Sequence, residues 1–362
     1  MENRKQTVES VIRACQLLRC FDGQTTLRLT DLEERTGLSK TTCFRLLKSL
    51  EVGGLIEKKG RGTYSRVSLD VVKIGYAAQT SDSEFARDVS EGIRLAAAKA
   101  NVLLIEKDNH YNPEIAVQQA DELIRAGVRL VLEFQTYESV AHTIGDKFSM
   151  ARIPVIAIEI PHTGAVFFGA NNMEAGKLGG EALGAWAKEN WSGEVDELLL
   201  LELGIAGSEP QMRIMGIKEG LAKELPEIKR CTETRLDGNG DYEESFKVVW
   251  QYLSERKERK RTLVAAVNDP SALGALKAFE DAKRLQYCAV MGQNAIRSAR
   301  DELRKEGTRL VGSVAYFPEK YGEKLIPLAL RLLQKEQDVK RVNRVAHKLV
   351  TPKNVDSIYP DD

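Results

Sequence analysis

The chain has 362 residues, 53 of them basic and 53 acidic, so its formal net charge is zero. That balance argues against a protein that coats nucleic acid or a membrane surface wholesale and confines any nucleic-acid contact to a local patch. The amino terminus MENRKQTVES has no apolar run behind its charges, and no later stretch approaches the roughly eighteen apolar residues of a membrane span, so a cytoplasmic location is expected. The length accommodates two or three separately cored domains. Cys15, Cys20, Cys43, Cys231 and Cys288 are scattered, include no C-x-x-C pair, and read as reduced thiols.

Thr7 to Phe21 reads as a first helix, with Val8, Val11, Ile12, Cys15, Leu17 and Leu18 on a face that would pack on the next helices or on a second copy of itself. Thr30 is expected to cap a short helix, TDLEERT; Gly37 turns the chain and Ser39 caps a second helix. In that second helix Phe44, Leu46, Leu47 and Leu50 form the expected apolar face, leaving Lys40, Thr41, Thr42, Arg45 and Lys48 outside. These are the donor and methyl-bearing types that reach phosphates and base edges from a helix in the major groove. Gly53-Gly54 ends the helix, and LIEKK and TYSRV alternate around Gly60-Arg61-Gly62 as a hairpin with a basic tip. Residues 39–68 carry seven basic and two acidic residues, which concentrates positive charge where phosphate contact needs it. The candidate DNA-binding set is Ser39, Lys40, Thr41, Thr42, Arg45, Lys48 and Arg61, with Thr41, Thr42 and Arg45 on bases and Lys40, Lys48 and Arg61 on phosphates.

TGLSKTTCFRLLKSLEVGGLIE and its wing, with the preceding helix TVESVIRACQLLRCF, closely resemble the winged helix-turn-helix of IclR-type transcriptional regulators over residues 7–68. The resemblance implies binding of double-stranded operator DNA, with a palindromic site and a homodimer to match it.

Residues Ser65 to Val72 are the only plausible linker, and its brevity implies mechanical coupling of a domain at 1–68 to one at 69–362. From Val71 short apolar runs alternate with amphipathic helices, from VVKIGYAA through VLLIEKD, RLVLEF, PVIAIEI, AVFFG, DELLLLELG, IKRCTETRL, RTLVAAVND and QYCAVMGQN to RLVGSVAYF. This pattern predicts an α/β fold of parallel sheets with helices on both faces. Ten or so strands exceed one comfortable sheet, so two similar Rossmann-like lobes with a cleft between them are expected.

Ligands of such sheets sit beyond the carboxyl ends of the strands. There the sequence places Gln79 to Ser83 and Phe85, Asp108 and Asn109, Gln135, Glu159, Asn171 and Asn172, Asn268 and Asp269, and Gln293 and Asn294. Carboxylates, carboxamides and an aromatic face suit a polyhydroxylated ligand, although each residue alone is more often a turn or helix cap.

From Lys73 to about Val350 the chain resembles the type I periplasmic sugar-binding proteins and the effector domains of LacI-type repressors. The likeness is carried by KIGYAAQTSDSEFARDVSEGI, NPEIAVQQADELIRAGV, IPVIAIEI, GANNMEAGKLGGEALG, RIMGIKEG and, most specifically, VNDPSALGALKAF. It implies ligand contacts from Ser83, Phe85, Glu159, Arg213, Asn268 and Asn294, with Asp108 and Tyr316 as further members. Glu159 and Asn294 stand where the sugar binders often have aspartate. The implied partner is a sugar or similar small polar effector, with no membrane and no cofactor.

The expected function is a one-component regulator in which effector binding closes the lobes and alters DNA binding. The alternative is an enzyme acting on a sugar or nucleotide and recruited to DNA, motivated by the carboxylates Asp108, Glu159 and Asp269. The four histidines show no metal spacing and there is no G-x-S-x-G elbow, which speaks against it. A transport-binding role fits poorly with a fused DNA reader and no export signal. GKLGGEALG from Gly176 reads as small residues for close helix packing.

Overall fold

The computed structural model describes residues 7–21, 26–66 and 71–362. The chain forms two compact units, residues 1–71 and 72–362. The boundary expected at 68/69 falls within residues 67–70, which lie outside the described residues. Ser65, expected to open a linker, instead belongs to a strand, where it is buried and donates to Glu57.

The first unit runs α1 (Glu9–Arg19), β1 (Leu27–Arg28), α2 (Leu29–Thr36), α3 (Lys40–Val52), β2 (Ile56–Gly60) and β3 (Thr63–Arg66). The strands pair antiparallel in the order β1-β3-β2. Leu17, Phe21, Leu32, Cys43, Leu47, Leu50, Ile56 and Tyr64 form its core. Thr30 does not cap α2: it lies inside the helix, and Asp31 instead accepts from the Arg28 N–H at 2.9 Å. Gly37 adopts φ 67° at the turn, and Ser39 caps α3 through the Thr42 N–H. The buried face of α3 is Cys43, Leu47 and Leu50, so Phe44, expected inside, is 46 % exposed. On α1 only Leu17 is buried, while Val8, Val11 and Ile12 stay exposed.

The second unit begins with β4 (Lys73–Ala78), α4 (Glu84–Lys99), β5 (Leu103–Asp108), α5 (Pro113–Arg125), β6 (Leu130–Glu133), α6 (Glu138–Met150), β7 (Val155–Ile158) and β8 (Val166–Gly169). It continues with α7 (Asn172–Trp191), β9 (Glu197–Glu202), α8 (Ser208–Glu224), β10 (Thr232–Asp237), α9 (Tyr242–Ser254), β11 (Thr262–Ala266), α10 (Asp269–Asp281), β12 (Cys288–Asn294), α11 (Arg297–Leu303) and β13 (Leu310–Ala315). The sequence pattern located all of these, although Pro226–Arg230, expected in part as strand, is a 3₁₀ turn before β10. The last elements are α12 (Tyr321–Leu333), β14 (Val342–Arg344), β15 (Lys348–Val350) and α13 (Val355–Ile358). Those after α12 were not anticipated.

Two sheets result, ordered β14-β8-β7-β6-β4-β5 in lobe 1 and β10-β9-β11-β12-β13-β15 in lobe 2. All pairings are parallel except β13 with β15. Central strands such as β6, β7 and β11 are buried along their whole length, because helices cover both faces. The chain crosses between lobes at three places: β8 to α7, β13 to α12, and β14 to β15. The glycines of α7 do serve close packing. A Cβ at Gly176 or Gly180 would overlap the backbone of Arg213 or Ile217 on α8, and one at Gly216 or Gly220 would overlap α7 in return. That contact fixes the backbone that carries Arg213.

Candidate functional site

A cleft of about 680 Å³ lies between the lobes, lined by the connections that follow strand carboxyl ends. In each lobe the order reverses at a switch point, β5-β4-β6 and β10-β9-β11, where successive connections leave on opposite faces and open a crevice. The two crevices face each other. Six residues expected at the site line this cleft: Ser83, Phe85, Glu159, Arg213, Asn268 and Asn294.

Asp108 and Tyr316 do not line it. Asp108 accepts from the Ser81 N–H at 3.1 Å and the His110 N–H at 2.7 Å, so it ties two loops together and thereby positions the neighbouring Tyr111. Tyr316 is 1 % exposed; its hydroxyl donates to Gln293 at 3.1 Å and its ring lies 4.9 Å beneath the Arg213 guanidinium. It backs the site without facing it. Strand-end position, the signal used, does not separate a residue that caps a loop from one that enters the crevice. The pattern also missed Tyr111, Thr136 and Tyr242, which line the cleft from connections after β5, β6 and β10.

Arg213 is buried on the cleft floor. Its Nε–H and an Nη2–H donate to Asn172 Oδ1 at 3.0 and 2.8 Å, and an Nη1–H donates to the Val267 carbonyl. Asn172 in turn donates to Glu209, which pairs with Arg344 at 3.2 Å. Glu159 accepts from the Tyr321 hydroxyl and, at 3.3 Å, from the Ala170 N–H. Burial raises its carboxyl above the ordinary range, opposed by the Tyr321 hydroxyl and by Arg213. Asn268 caps α10 through the Ser271 N–H at 3.0 Å and donates to the Gly240 carbonyl. Asn294, 7 % exposed, has no side-chain hydrogen bond among the described residues.

Four lining residues hold left-handed backbones without being glycine: Tyr111 at φ 51°, Glu159 at φ 64°, Asn239 at φ 52° and Asn294 at φ 102°. Such conformations cost about 1–3 kcal/mol each and persist where the surroundings dictate them, commonly at binding sites. Asp269, counted from sequence among the cleft carboxylates, is fully buried behind the wall. It accepts from the Ser313 hydroxyl at 2.6 Å and the Ile296 N–H at 2.9 Å, and burial pushes it up to about 7. Of the three carboxylates that motivated a catalytic reading, only Glu159 therefore reaches the cleft. Among the described residues no group of His, Cys, Asp and Glu is arranged to hold a metal ion, and no helix is long and apolar enough to cross a membrane.

In the first unit Lys40, Thr41, Arg45 and Lys48 stand exposed along α3, and Arg61 is exposed at the hairpin tip. Among the described residues none of these four cations is in an ion pair, whereas Lys59 beside them is paired with Glu57. Ser39 and Thr42 share a hydroxyl contact of 2.9 Å at the start of α3, which makes both part of the cap. Phe44, missed as a surface residue, sits between Lys40 and Lys48 on the same side.

Residues 10–60 match the IclR helix-turn-helix domain and residues 74–337 the periplasmic binding protein domain. The chain is 37 % identical over 70 residues to the HTH-type transcriptional regulator XynR of Escherichia coli (strain K12), covering 19 % of this chain and 28 % of that one. It is 28 % identical over 117 residues to the HTH-type transcriptional regulator KipR of Bacillus subtilis (strain 168), covering 30 % and 46 %. The chain thus spans less than half the length of either regulator. Among solved structures it is similar in fold to an ABC transporter solute binding protein from Mycobacterium smegmatis with bound glycerol, at TM-score 0.70 and 19 % identity over 79 % of this chain and 96 % of that one. A solute binding protein from Bacillus halodurans C-125 with bound myo-inositol gives 0.68 and 21 % over 80 % and 98 %. One from Actinobacillus succinogenes 130z with bound D-allose gives 0.67 and 20 % over 79 % and 99 %. The family match over residues 74–337 takes in most of the chain, and the protein belongs to the periplasmic binding protein domain family, with an IclR helix-turn-helix domain preceding that region.

Proposed function

We infer that the protein is a cytoplasmic, ligand-responsive transcriptional regulator that binds operator DNA as a homodimer and senses a sugar-like polar effector in its interlobal cleft. One observation carries the reading: cations of α3 and the hairpin tip that have no ion pair among the described residues, and a two-lobed effector-sized cleft, belong to the same chain. Uncompensated Lys and Arg on a helix and hairpin tip are what phosphate neutralisation requires. Thr41 and Arg45 are assigned to base edges and Lys40, Lys48 and Arg61 to phosphates, with Ser39 and Thr42 shaping the helix start. In the cleft Ser83, Phe85, Glu159, Arg213, Asn268 and Asn294 are assigned to the effector, and Asp108 and Tyr316 hold those contacts in place.

The two regulators matched over the helix-turn-helix support the DNA-directed half. The ligands of the three solute binding proteins, glycerol, myo-inositol and D-allose, support a polyhydroxylated effector. The LacI-type likeness read from the sequence rests on that same fold. Binding acts as a switch only if the effector prefers one state; a tenfold change in DNA affinity needs about 1.4 kcal/mol of coupling. The test is selection of duplexes from a random pool by the purified full chain at low ionic strength, followed by anisotropy titration with and without sugars. Enrichment of a palindrome whose affinity a sugar changes supports the reading; no enriched sequence overturns it.

A further inference from the structure

The charge balance of the cleft floor points to an acid. Resting on the effector reading above, we propose that the effector is a polyhydroxylated carboxylate, an aldonate or uronate rather than a neutral sugar, and that Arg213 receives its anionic group.

Arg213 is 7 % exposed, and the protein groups that hold it, Asn172 Oδ1, the Val267 carbonyl and the Tyr316 ring, are all neutral. Among the described residues no carboxylate lies within ion-pair distance of it, although most other acids and bases of the unit are paired. A guanidinium taken out of water without a counter-charge is costly, and a ligand carboxylate offers the missing partner in bidentate geometry. The acids nearby are already committed. Glu209 is held by Arg344 and Asn172, Asp241 caps α9 through the Glu244 N–H, Glu84 accepts from the Ser298 N–H, and Asp82 sits at the exposed rim. Glu159 is bonded to Tyr321 and Ala170 and forms no ion pair with Arg213 among the described residues.

A second observation concerns Asn294. Its side chain is buried yet unpartnered among the described residues, and it lines the cleft at the end of β12, beside β11, which runs directly into Val267 and the carbonyl that holds Arg213. An amide there donates N–H to a carboxylate oxygen, whereas a carboxylate in its place would repel an anion and neutralise Arg213. Among the other lining groups Thr80, Gln135, Thr136, Asn239 and Asn268 are neutral donors and acceptors suited to hydroxyls, and the Arg87 guanidinium donates to the Ser81 and Asp82 carbonyls.

The test is calorimetric titration of the full chain at matched ionic strength with D-gluconate, D-galactonate, D-glucuronate and D-galacturonate. The neutral arm is D-glucose, D-galactose, D-allose, myo-inositol and glycerol. At least one acid is expected to bind tenfold or more tightly than its neutral parent. Asn294→Asp is expected to weaken that acid at least tenfold and to cancel or reverse its preference over the neutral parent, and Arg213→Gln to abolish acid binding. Because Arg213 also packs inside the unit, Asn294→Asp carries the test should Arg213→Gln fail to fold. A neutral sugar that binds as well as its acid overturns the charge assignment and leaves the sugar-sensing reading intact. Absence of binding by every member of both arms overturns both.

Discussion

The carboxylate of Glu138 in lobe 1 accepts from both the backbone N–H and the hydroxyl of Ser208 in lobe 2, at 3.4 and 3.3 Å. Ser208 opens α8, so a lobe 1 anion neutralises the N-terminus of the helix that carries Arg213. Glu84 makes the matching contact to the Ser298 N–H, at 3.1 Å. Gly207 makes room for the first latch, since a Cβ there would overlap the Glu138 carboxylate.

These contacts exist only when the lobes meet. Each is worth about 0.3–1 kcal/mol, so Glu84→Gln with Glu138→Gln should weaken effector binding by roughly three- to thirtyfold. Small-angle scattering should show a larger radius of gyration for the ligand-free variant. Unchanged affinity and radius would show that the latches do not govern closure.

The α7–α8 contact tolerates nothing larger than hydrogen at its glycines. Gly180→Ala sets a Cβ against the Ile217 carbonyl, and forced separation of the helices should cost about 1–3 kcal/mol. Thermal melts should show a lower Tm, and effector affinity should fall with it because Arg213 rides on α8.

Glu133 is fully buried, and neither carboxyl oxygen has a hydrogen-bond partner among the described residues. Burial raises it well above the ordinary carboxylate range, with Asn109 opposing. The folded state therefore keeps a proton that the unfolded state has released, so stability falls as pH rises from the ordinary value through the raised one. Urea midpoints across that window should decline in the native chain, and Glu133→Gln should flatten the decline. Parallel curves for the two proteins would exclude Glu133 as its source.

His347 joins two of the interlobal crossings: its Nε2 accepts from the Asn171 N–H at 2.9 Å, and its ring lies 4.7 Å from that of Tyr316 in the remaining crossing. Burial lowers it to about 4, and His162, behind the cleft wall residue Gln135, is likewise lowered to about 4. Both stay neutral when folded and take up protons when unfolded, so their contribution is full above about pH 6.5 and is lost as pH falls toward 4. Acid should therefore destabilise the unit over that range, and His347→Gln should remove part of the dependence in denaturant titrations.

On the DNA side, Lys48→Ala should weaken binding to all duplexes and reduce the salt-dependence slope by about one. Arg45→Ala should relax discrimination at one operator position, by about 1–3 kcal/mol. Anisotropy titrations against matched and mismatched duplexes separate the two; equal loss of specificity in both would contradict the division of roles.

The alternating strands and helices were legible because strands covered on both faces read as apolar runs, as in VLLIEKD and RTLVAAVND. Residues 342–358 were not: β14 and β15 are three residues each, only one of their six residues is buried, and each carries a cation, so they hold no such run. Phe44 was assigned to the wrong face because Cys43 serves as the small apolar residue of that helix and its spacing fits equally well. In the cleft, chain position found the strand ends but not side-chain direction. Asp108 and Tyr111 leave the same strand, yet a left-handed backbone sends Tyr111 to the ligand space while Asp108 turns back to cap.

The crossings also set an order of assembly on the ribosome. The five parallel strands of lobe 2 emerge as one continuous stretch, whereas lobe 1 waits for α12 and for β14 at its sheet edge, both encoded after β13. The helix-turn-helix unit and most of lobe 2 can therefore be folded while lobe 1 is still unsealed, and a nascent chain stopped short of Val342 has the first unit complete beside an unfinished interlobal cleft.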